Sequence, residues 1–211
     1  MRQLVHRCPN WSLLWLAIGI IAIRFDPMLQ PMIAGLGRAQ TIQRVALHWQ
    51  DLGTVTGIPL FLLVGLLLIL RDRGHTLRVF LVCVLLASAL SFAGKWCCGR
   101  VRPDRMDGHT RFCGPFGLVP HSSGAVDSMP SGHTTAAFAM ATALTWRWRR
   151  AAVLWYLLAI GVAISRVLVN RHFPSDVIIG AWIGTAAAWA ICRNVPATWP
   201  RSVLPPVEVD R

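Results

Sequence analysis

A histidine, a carboxylate and an arginine follow one another closely near the carboxyl end of the chain. Arg166 is followed by His172 and then by Asp176. Pro174 suits the first turn of a helix, because its φ angle is already fixed and it has no N–H to leave unpaired. A carboxylate in that turn can hold the neighbouring imidazole in one tautomer and leave the other ring nitrogen free for nucleophilic attack. The structural alternative is an Asp favoured by the helix dipole, beside an interfacial histidine.

A second polar cluster, Pro130-Ser131-Gly132-His133, directly precedes an apolar run. Ser131 is placed to cap the helix that the run predicts, and Gly132 would let a ligand approach the backbone. The first N–H groups of such a helix bind anions, and His133 in its first turn would point into that anion site. The simpler alternative is a serine cap without a ligand.

The third cluster is cationic. Lys95 and Arg102 are seven residues apart, and Pro103 ends any helix at that point. Arginine can offer a planar fork to two phosphate oxygens, whereas lysine acts as a point charge. Phosphate binding is one interpretation of this pair. The other is that both long side chains extend toward lipid headgroups.

The elements that must hold these clusters have the composition of membrane helices. Of the 211 residues, 55% are hydrophobic and 14% are charged, and the mean hydropathy is +0.51. Six continuous apolar runs approach the ~17–25 residues that cross a bilayer, at about 8–24, 53–70, 78–94, 132–146, 151–167 and 175–192. The predicted fold is an all-α bundle of six transmembrane helices. It forms one domain over residues 1–195, followed by an irregular proline-rich tail at 196–211.

The basic segments set the expected orientation. The amino terminus and the short loops 71–78 and 147–150 are rich in arginine, which places them on the cytoplasmic side. All three polar clusters then lie at the opposite, non-cytoplasmic ends of the helices. Residues 27–50 mix apolar and polar side chains at helical spacing and are predicted to lie on the membrane surface. Gly180 and Gly184 are expected to pack the last helix against a neighbour close to the site.

The strong positive charge does not indicate nucleic-acid binding. The formal net charge is +12, but the sequence has no hydrated basic stripe interleaved with aromatic residues. Membrane anchoring and phosphate binding account for the arginines in short loops. Asp104, Asp107 and Asp127 are predicted to be solvated and paired with nearby arginines rather than to bind a metal.

The cysteines do not form a disulfide scaffold. Cys83 and Cys192 lie within apolar runs and are predicted to pack as small hydrophobic residues. Cys97 or Cys98 could form a bridge to Cys113 in an oxidising compartment, and unpaired thiols are the equal alternative.

In order and spacing, the three clusters resemble the signature of the type 2 phosphatidic acid phosphatase (PAP2) superfamily, which includes vanadium haloperoxidases. The pattern is Lys-x6-Arg-Pro, then Pro-Ser-Gly-His, then Ser-Arg-x5-His-x3-Asp, and residues 95–176 match it at every position. The resemblance implies that His172 is the nucleophile, Asp176 orients it, and His133 is the general acid and base. It also implies a phosphate-binding set without metal or cofactor: Lys95, Arg102, Ser131, Gly132 and Arg166.

The same resemblance implies a metal-independent phosphatase that works through a phosphohistidine. Its substrate would be a membrane lipid, such as phosphatidic acid, phosphatidylglycerol phosphate, an isoprenyl diphosphate or lipid A. The expected location is the bacterial inner membrane, with the site facing the periplasm or cell exterior. The expected partners are the lipid and the bilayer. Three alternatives stay open: a phosphotransferase with the same site, a vanadate-dependent haloperoxidase, which the apolar spans disfavour, and a membrane protein without catalysis.

Overall fold

The structure, a computed structural model, describes residues 10–37, 39–52, 75–105, 112–115 and 126–195. Six helices dominate this part: α1 Asn10–Gly37, α2 Gln40–Leu52, α3 His75–Cys98, α4 Gly132–Arg147, α5 Ala152–Leu168 and α6 Pro174–Arg193. Short 3-10 turns lie at Pro103–Arg105 and Arg149–Ala151. Within the described ranges, β structure is limited to one isolated bridge between Arg100 and Phe112. The predicted all-α class is confirmed for these ranges.

Helix α4 occupies the centre of the bundle. It contacts α3, α5 and α6, while α1 packs on α6 and α2 packs on α5. Four buried alanines on α4, at positions 137, 139, 141 and 143, let its neighbours approach closely. A core cluster of α3, α4 and α6 is built around Phe80, Cys83, Ala139, Leu144 and Ala188.

The packing brings the three polar clusters to one end of the bundle. Helix α3 ends at the cationic cluster, α4 begins at the Ser131 cluster, and the short loop from α5 to α6 carries His172. Backbone hydrogen bonds join the clusters directly. The Ser131 N–H donates to the carbonyl oxygen of Asp176 at 3.1 Å, and the Ser128 N–H donates to that of Arg100 at 3.0 Å.

Four described segments are long and apolar enough to cross a membrane: Ser12–Gly37, Thr76–Cys98, Arg149–Leu168 and Pro174–Arg193. Large apolar side chains such as Leu13, Leu85 and Val153 face outward from them, where lipid would cover them. Helix α4 has 16 residues, short of the ~20 that a span requires. The span predicted at 53–70 and the tail at 196–211 lie outside the described residues, so the count of six spans stays a prediction.

The predicted end of the first span was wrong. Helix α1 does not stop near residue 24 but continues through Asp26, Pro27 and Pro31 to Gly37. A charged residue after an apolar run is typical of a span that has reached the interface. Here Asp26 is fully buried and paired with Arg100, so a cation inside the bundle stabilises it and the helix continues.

Helix α2 has the two-faced character that was predicted for residues 27–50, although α1 occupies the first part of that segment. Ala46 is buried, and the ring of Trp49 packs directly on Gly161 of α5. Ile42 and Val45, at the edge of this face, are partly exposed. Ala46 and Trp49 therefore lie against the bundle, and larger aliphatic side chains of α2, including Leu47, are exposed.

Gly180 and Gly184 allow α6 to touch α4, as predicted. A Cβ atom at Gly184 would overlap the backbone oxygen of Thr135, and one at Gly180 would lie 2.8 Å from the backbone oxygen of Ser131. Because these neighbours are backbone atoms, they cannot rotate away. The contact fixes the spacing between α4, which begins at the Ser131 cluster, and α6, which begins at the cluster of His172 and Asp176.

We expect the substitution Gly184→Ala to lower the free energy of unfolding by about 1–3 kcal/mol, because the added methyl forces α4 and α6 apart. Gly35→Ala is the matched control, since a Cβ at Gly35 meets nothing within 4 Å. Thermal unfolding in detergent measures both. A Gly184→Ala protein that unfolds at or above the wild-type temperature would contradict this packing.

Candidate active site

His172 lies in the loop between α5 and α6, and its side chain is 1% exposed. Its Nδ1 is 2.7 Å from the backbone oxygen of Ser128. A carbonyl can only accept, so the ring carries its proton on Nδ1 and its lone pair on Nε2. The backbone N–H of His172 also donates to the carbonyl of Arg166 at 3.2 Å. The Ser128 carbonyl therefore holds the ring in one tautomer, and the Arg166 carbonyl fixes the backbone of the loop.

Asp176 lies in the first turn of α6, which begins at Pro174 as predicted. Its carboxylate is fully buried and is 3.8 Å from Nδ1 of His172, too far for a hydrogen bond. It accepts instead from the hydroxyl of Ser128 at 2.6 Å and from the N–H of Phe173 at 2.9 Å. The direct hydrogen bond expected from the sequence is replaced by a contact through Ser128, which bonds both the carboxylate and the imidazole.

Arg100 is the buried cation of the site, and it was not among the residues predicted from the sequence. Its side chain is completely buried, and one guanidinium nitrogen donates to Asp176 Oδ1 at 2.6 Å and to Ser175 Oγ at 2.7 Å. The guanidinium also lies 3.9 Å from the ring centroid of Phe173 and 5.0 Å from that of Phe112. The available signal was a third basic residue inside the cationic cluster, two positions before Arg102.

Asp26 of α1 is the second residue that the sequence reasoning missed. It accepts from the other guanidinium nitrogen of Arg100 at 2.7 Å and from the backbone N–H of Ser175 at 3.1 Å, and it also pairs with the Ser175 hydroxyl. A lone carboxylate within a long apolar segment was the signal, since such a group is costly unless it has a partner. Two buried carboxylates thus share one arginine.

Lys95 and Arg102 lie together, as the cationic cluster requires, and both contact Asp127. Arg102 donates to the two Asp127 oxygens at 2.7 Å each, which is a fork-to-fork pair. Lys95 Nζ donates to the Asp127 backbone oxygen at 2.8 Å and lies 3.6 Å from its carboxylate. The predicted pairing of Asp127 with an arginine is confirmed. The predicted pairing of Asp104 with an arginine is also confirmed, because Asp104 accepts from Arg171 at 2.9 Å. Asp107 lies outside the described residues.

The start of α4 differs in one detail from its prediction. Ser131 occupies the N-cap position, but its side chain makes no capping hydrogen bond to the helix. Its hydroxyl oxygen accepts from the hydroxyl of Thr134 at 3.1 Å, while its backbone N–H is bonded to Asp176. A Cβ at Gly132 would lie 3.6 Å from Ser91 Oγ and 3.8 Å from Lys95 Cε, so this glycine keeps the space beside Lys95 open.

A cavity of about 600 Å³ opens beside these residues. Its polar end is lined by Lys95, Asp127, Gly132 and His133. Its apolar side is formed by residues of α3 and α4, namely Phe92, Trp96 and Ala136. The cavity can hold a group that is anionic at one end and apolar at the other.

The electrostatics of the two groups outside the helices follow from burial and neighbouring charge. Burial lowers the pKa of His172 below its ordinary value, and the positive charges of Arg166 and Lys95 act in the same direction, against the opposing influence of Asp176. For Asp127, burial alone would raise the pKa, but the hydrogen bonds from Arg102 and the charge of Lys95 outweigh it and hold the pKa below its ordinary value. His172 is therefore neutral and Asp127 ionised near neutral pH.

The remaining predicted residues have clear positions. Arg166 is buried at the end of α5, and its carbonyl also accepts from the N–H of Arg171 at 3.1 Å.

Among the described cysteines Cys97, Cys98 and Cys113 are free thiols. The remaining two, Cys83 and Cys192, are buried with their sulfur atoms 3.8 Å apart, in agreement with the packing role predicted for them.

These helices and this site define an integral membrane protein that is helical in the part the structure describes, with a buried histidine, carboxylate and arginine beside a cavity that is polar at one end. The sequence profile of the PAP2 superfamily matches residues 76–200. The chain belongs to the PAP2 superfamily, as the three motifs indicated.

Curated relatives share part of their length with this chain. It is 32% identical over 157 residues to a lipid A 1-phosphatase of Rhizobium etli, with 65% of this chain and 66% of that protein covered. It is 34% identical over 147 residues to a lipid A 1-phosphatase of Rhizobium johnstonii, with 62% and 59% covered. The undecaprenyl-diphosphatase BcrC of Bacillus subtilis is 40% identical over 63 residues, which are 29% of this chain and 31% of that protein. The chain spans less than two thirds of the length of these relatives.

Two solved structures have the same fold. LpxE of Aquifex aeolicus superposes with a TM-score of 0.60 at 20% identity, covering 79% of this chain and 94% of that one. A PAP2-type phosphatidylglycerolphosphate phosphatase of Bacillus subtilis superposes with a TM-score of 0.56 at 21% identity, covering 85% and 93%. At these identities the likeness concerns the fold.

We expect Arg100→Ala to lower the free energy of unfolding by about 3–5 kcal/mol, because it leaves two buried carboxylates without their cation. The matched control is Arg171→Ala, which removes a partly exposed arginine from its pair with Asp104 and should cost about 0–1 kcal/mol. Thermal unfolding of both variants in detergent measures the difference. Equal losses would show that the Arg100 network does not stabilise the fold.

Proposed function

We propose that this protein is a metal-independent phosphatase that removes phosphate from a membrane lipid through a phosphohistidine at His172. The observation that carries the proposal is the fork-to-fork contact of Asp127 with Arg102, beside Lys95, at the polar end of the cavity. A carboxylate held in this way occupies the kind of place that two phosphate oxygens would take. The names of the curated relatives, lipid A 1-phosphatase and undecaprenyl-diphosphatase, support the same class of reaction.

His172 supplies the nucleophile in this proposal. Its Nδ1 proton is bonded to the Ser128 carbonyl, so the lone pair on Nε2 forms the bond to phosphorus while the bond to the leaving oxygen breaks. Positive charge develops on the imidazole as that bond forms. The Ser128 carbonyl and the nearby carboxylate of Asp176 stabilise this charge, which is the orienting role expected of Asp176.

His133 acts as the general acid and then as the general base. It gives a proton to the departing oxygen and later takes one from the water that attacks the phosphohistidine. That second step breaks the nitrogen–phosphorus bond, releases inorganic phosphate and restores neutral His172. The position of His133 in the cavity wall, in the first turn of α4, suits a group that must reach both the leaving oxygen and a water molecule.

The cations of the site stabilise the phosphoryl oxygens as charge spreads over them in the transition state. Lys95 acts from the cavity wall, Arg102 from beside it through the place now taken by Asp127, and Arg166 from the end of α5. Gly132 contributes its backbone N–H at the start of α4. Ser131 accepts from Thr134, which leaves the Ser131 hydroxyl proton for another acceptor such as a phosphate oxygen.

The shape of the cavity favours an amphiphilic substrate. Phe92 and Trp96 are 61% and 51% exposed, with their ring centroids 5.5 Å apart, on the face of α3 beside the polar end. In a bilayer this wall contacts lipid, so a phosphorylated headgroup can enter while its chains stay among the acyl chains. We propose a lipid A phosphate or a polyprenyl diphosphate as the first substrates to test. We propose that the site lies at the non-cytoplasmic face of a bacterial inner membrane, because the basic residues Arg78 and 147–150 lie at the opposite ends of their helices.

The proposed function predicts that purified wild-type protein releases inorganic phosphate from one or more lipid phosphates in the presence of EDTA. The panel would hold lipid A, undecaprenyl diphosphate, phosphatidylglycerol phosphate and phosphatidic acid. His172→Ala should reduce the rate by at least about 1,000-fold without loss of folding, because the nucleophile is removed. Phosphate transfer to an added acceptor without free phosphate would show a transferase instead. Wild-type rates in His172→Ala would disprove the phosphohistidine route.

The buried environment of His172 predicts a neutral imidazole at pH values below its ordinary pKa of about 6.5, because burial lowers the pKa of this side chain. On acidification the nucleophile should therefore become protonated later than an ordinary histidine. Nitrogen-15 NMR of histidine-labelled protein in detergent, with His172→Ala to assign the signal, measures this without substrate. A His172 signal that is already cationic at pH 6.5 would contradict the prediction.

A further inference from the structure

Asp26 occupies an unusual place for a carboxylate. It lies in the interior of α1, an apolar helix long enough to cross a membrane, and its side chain is completely buried. A charge at such a position is costly, and it persists where it has a partner and a function. The motifs that define the superfamily signature in this chain begin only at Lys95, so they assign nothing to this residue.

Both oxygens of Asp26 are engaged at the end of the bundle that carries the site. Oδ2 accepts from Arg100 Nη2 at 2.7 Å, and Oδ1 accepts from the backbone N–H of Ser175 at 3.1 Å. Oδ2 also accepts from the Ser175 hydroxyl. Asp26 therefore holds both the buried arginine and the first turn of α6.

From Asp26, a series of hydrogen bonds leads through Arg100 and Asp176 to the side chain of Ser128, whose backbone carbonyl bonds His172. The other guanidinium nitrogen of Arg100 donates to Asp176 Oδ1 at 2.6 Å. Asp176 Oδ2 accepts from the Ser128 hydroxyl at 2.6 Å, and the Ser128 carbonyl accepts from His172 Nδ1 at 2.7 Å. Each charged side chain in this series is 0–1% exposed, so water does not compete for its hydrogen bonds.

We propose that Asp26 is a positioning residue for the nucleophile. Asp26 holds Arg100 between its own carboxylate and that of Asp176, so that one oxygen of Asp176 stays available to accept from Ser128 and to lie near His172. The proposal rests on the proposed function of His172. It assigns to the first helix of the bundle a part in the reaction.

The geometry explains why one carboxylate would not be enough. A guanidinium with a single carboxylate partner tends to bind both of its oxygens as a fork. Without the charge of Asp26, Arg100 would turn toward Asp176 and compete for the oxygen that now accepts from Ser128. The Ser128 carbonyl, which fixes the tautomer of His172, would lose its own support.

The net charge of the buried group also indicates that His172 needs the carboxylate of Asp26. With His172 neutral, the buried group of Asp26, Asp176 and Arg100 has one more negative than positive charge. That excess stabilises the cation that forms on the imidazole when phosphorus is attacked. If Asp176 were the one carboxylate paired with Arg100, the buried group would have no excess negative charge.

The test compares Asp26→Asn with wild type on the lipid phosphate that wild type hydrolyses fastest. Asparagine keeps the shape and loses the charge, so kcat should fall about 100-fold, the cost of a displaced reacting group, while KM changes by less than about twofold. Asp26→Glu restores the charge and should recover part of kcat. The control is Ser12→Ala, which removes the hydrogen bond of 2.9 Å from Trp182 that joins the same two helices elsewhere. It should leave kcat unchanged.

Each outcome decides the proposal. Asp26→Asn with kcat within about threefold of wild type, or with a changed KM and unchanged kcat, overturns it. If Ser12→Ala lowers kcat as much as Asp26→Asn does, the proposal is also overturned, because the loss of any contact between α1 and α6 would then have the same effect. If Asp26→Asn does not fold, Arg100→Lys replaces it, since an ammonium keeps the charge without the fork. Full kcat in that variant overturns the proposal. An inactive wild type, or a fully active His172→Ala, would instead refute the proposed function.

Discussion

The guanidinium of Arg100 between Asp26 and Asp176 is the interaction on which the rest of this structure depends. It joins residues of α1, α6 and the segment after α3, all of them completely buried. Two carboxylates and an arginine removed from water are stable together only if nearly every donor and acceptor is engaged. The hydroxyls of Ser128 and Ser175, the N–H groups of Phe173 and Ser175, and the ring of Phe173 meet most of that requirement. The same contacts fix the loop that holds His172.

This constraint separates the site into two parts with different surroundings. The side of His172 is buried, and its ring is held through Ser128, which also bonds Asp176. On the other side Lys95 lines the cavity and Arg102 lies beside it, and both are 19% exposed and can exchange partners. The contact of Arg102 with Asp127 suits such an exchange, because Asp127 is 45% exposed and can move into solvent. A rigid histidine beside accessible cations is the arrangement that the proposed phosphoryl transfer requires.

Close packing of small residues makes the arrangement possible. Gly180 and Gly184 bring the start of α6 onto the start of α4, and the hydrogen bond from Ser131 to Asp176 forms across that contact. Bulkier side chains would separate the Pro-Ser-Gly-His cluster from the histidine loop. The helices that carry the site are thus joined by backbone approach as well as by charge.

The candidate site residues were readable from the sequence because their signals are local. Helix α6 begins at Pro174 with Asp176 in its first turn, and α3, α4, α5 and α6 lie within a few residues of the predicted spans. The main contacts that the sequence did not predict join residues that lie far apart in the chain. Asp26 lies just beyond the first predicted span, and it pairs with Arg100, 74 positions away, and with Ser175, 149 positions away. Ser131 was expected to cap its helix and Asp176 to bond His172 directly, yet Thr134 and Ser128 provide the contacts instead.

The sequence by itself determined the membrane character, the helices of the described bundle and the family signature, because hydrophobic runs, prolines and motif spacing act over one or two helical turns. Only the tertiary structure decided which charges share a buried partner and which oxygen holds the imidazole. Those choices depend on how α1, α4 and α6 pack, and the free energy of a buried ion pair depends on neighbours that no local pattern specifies.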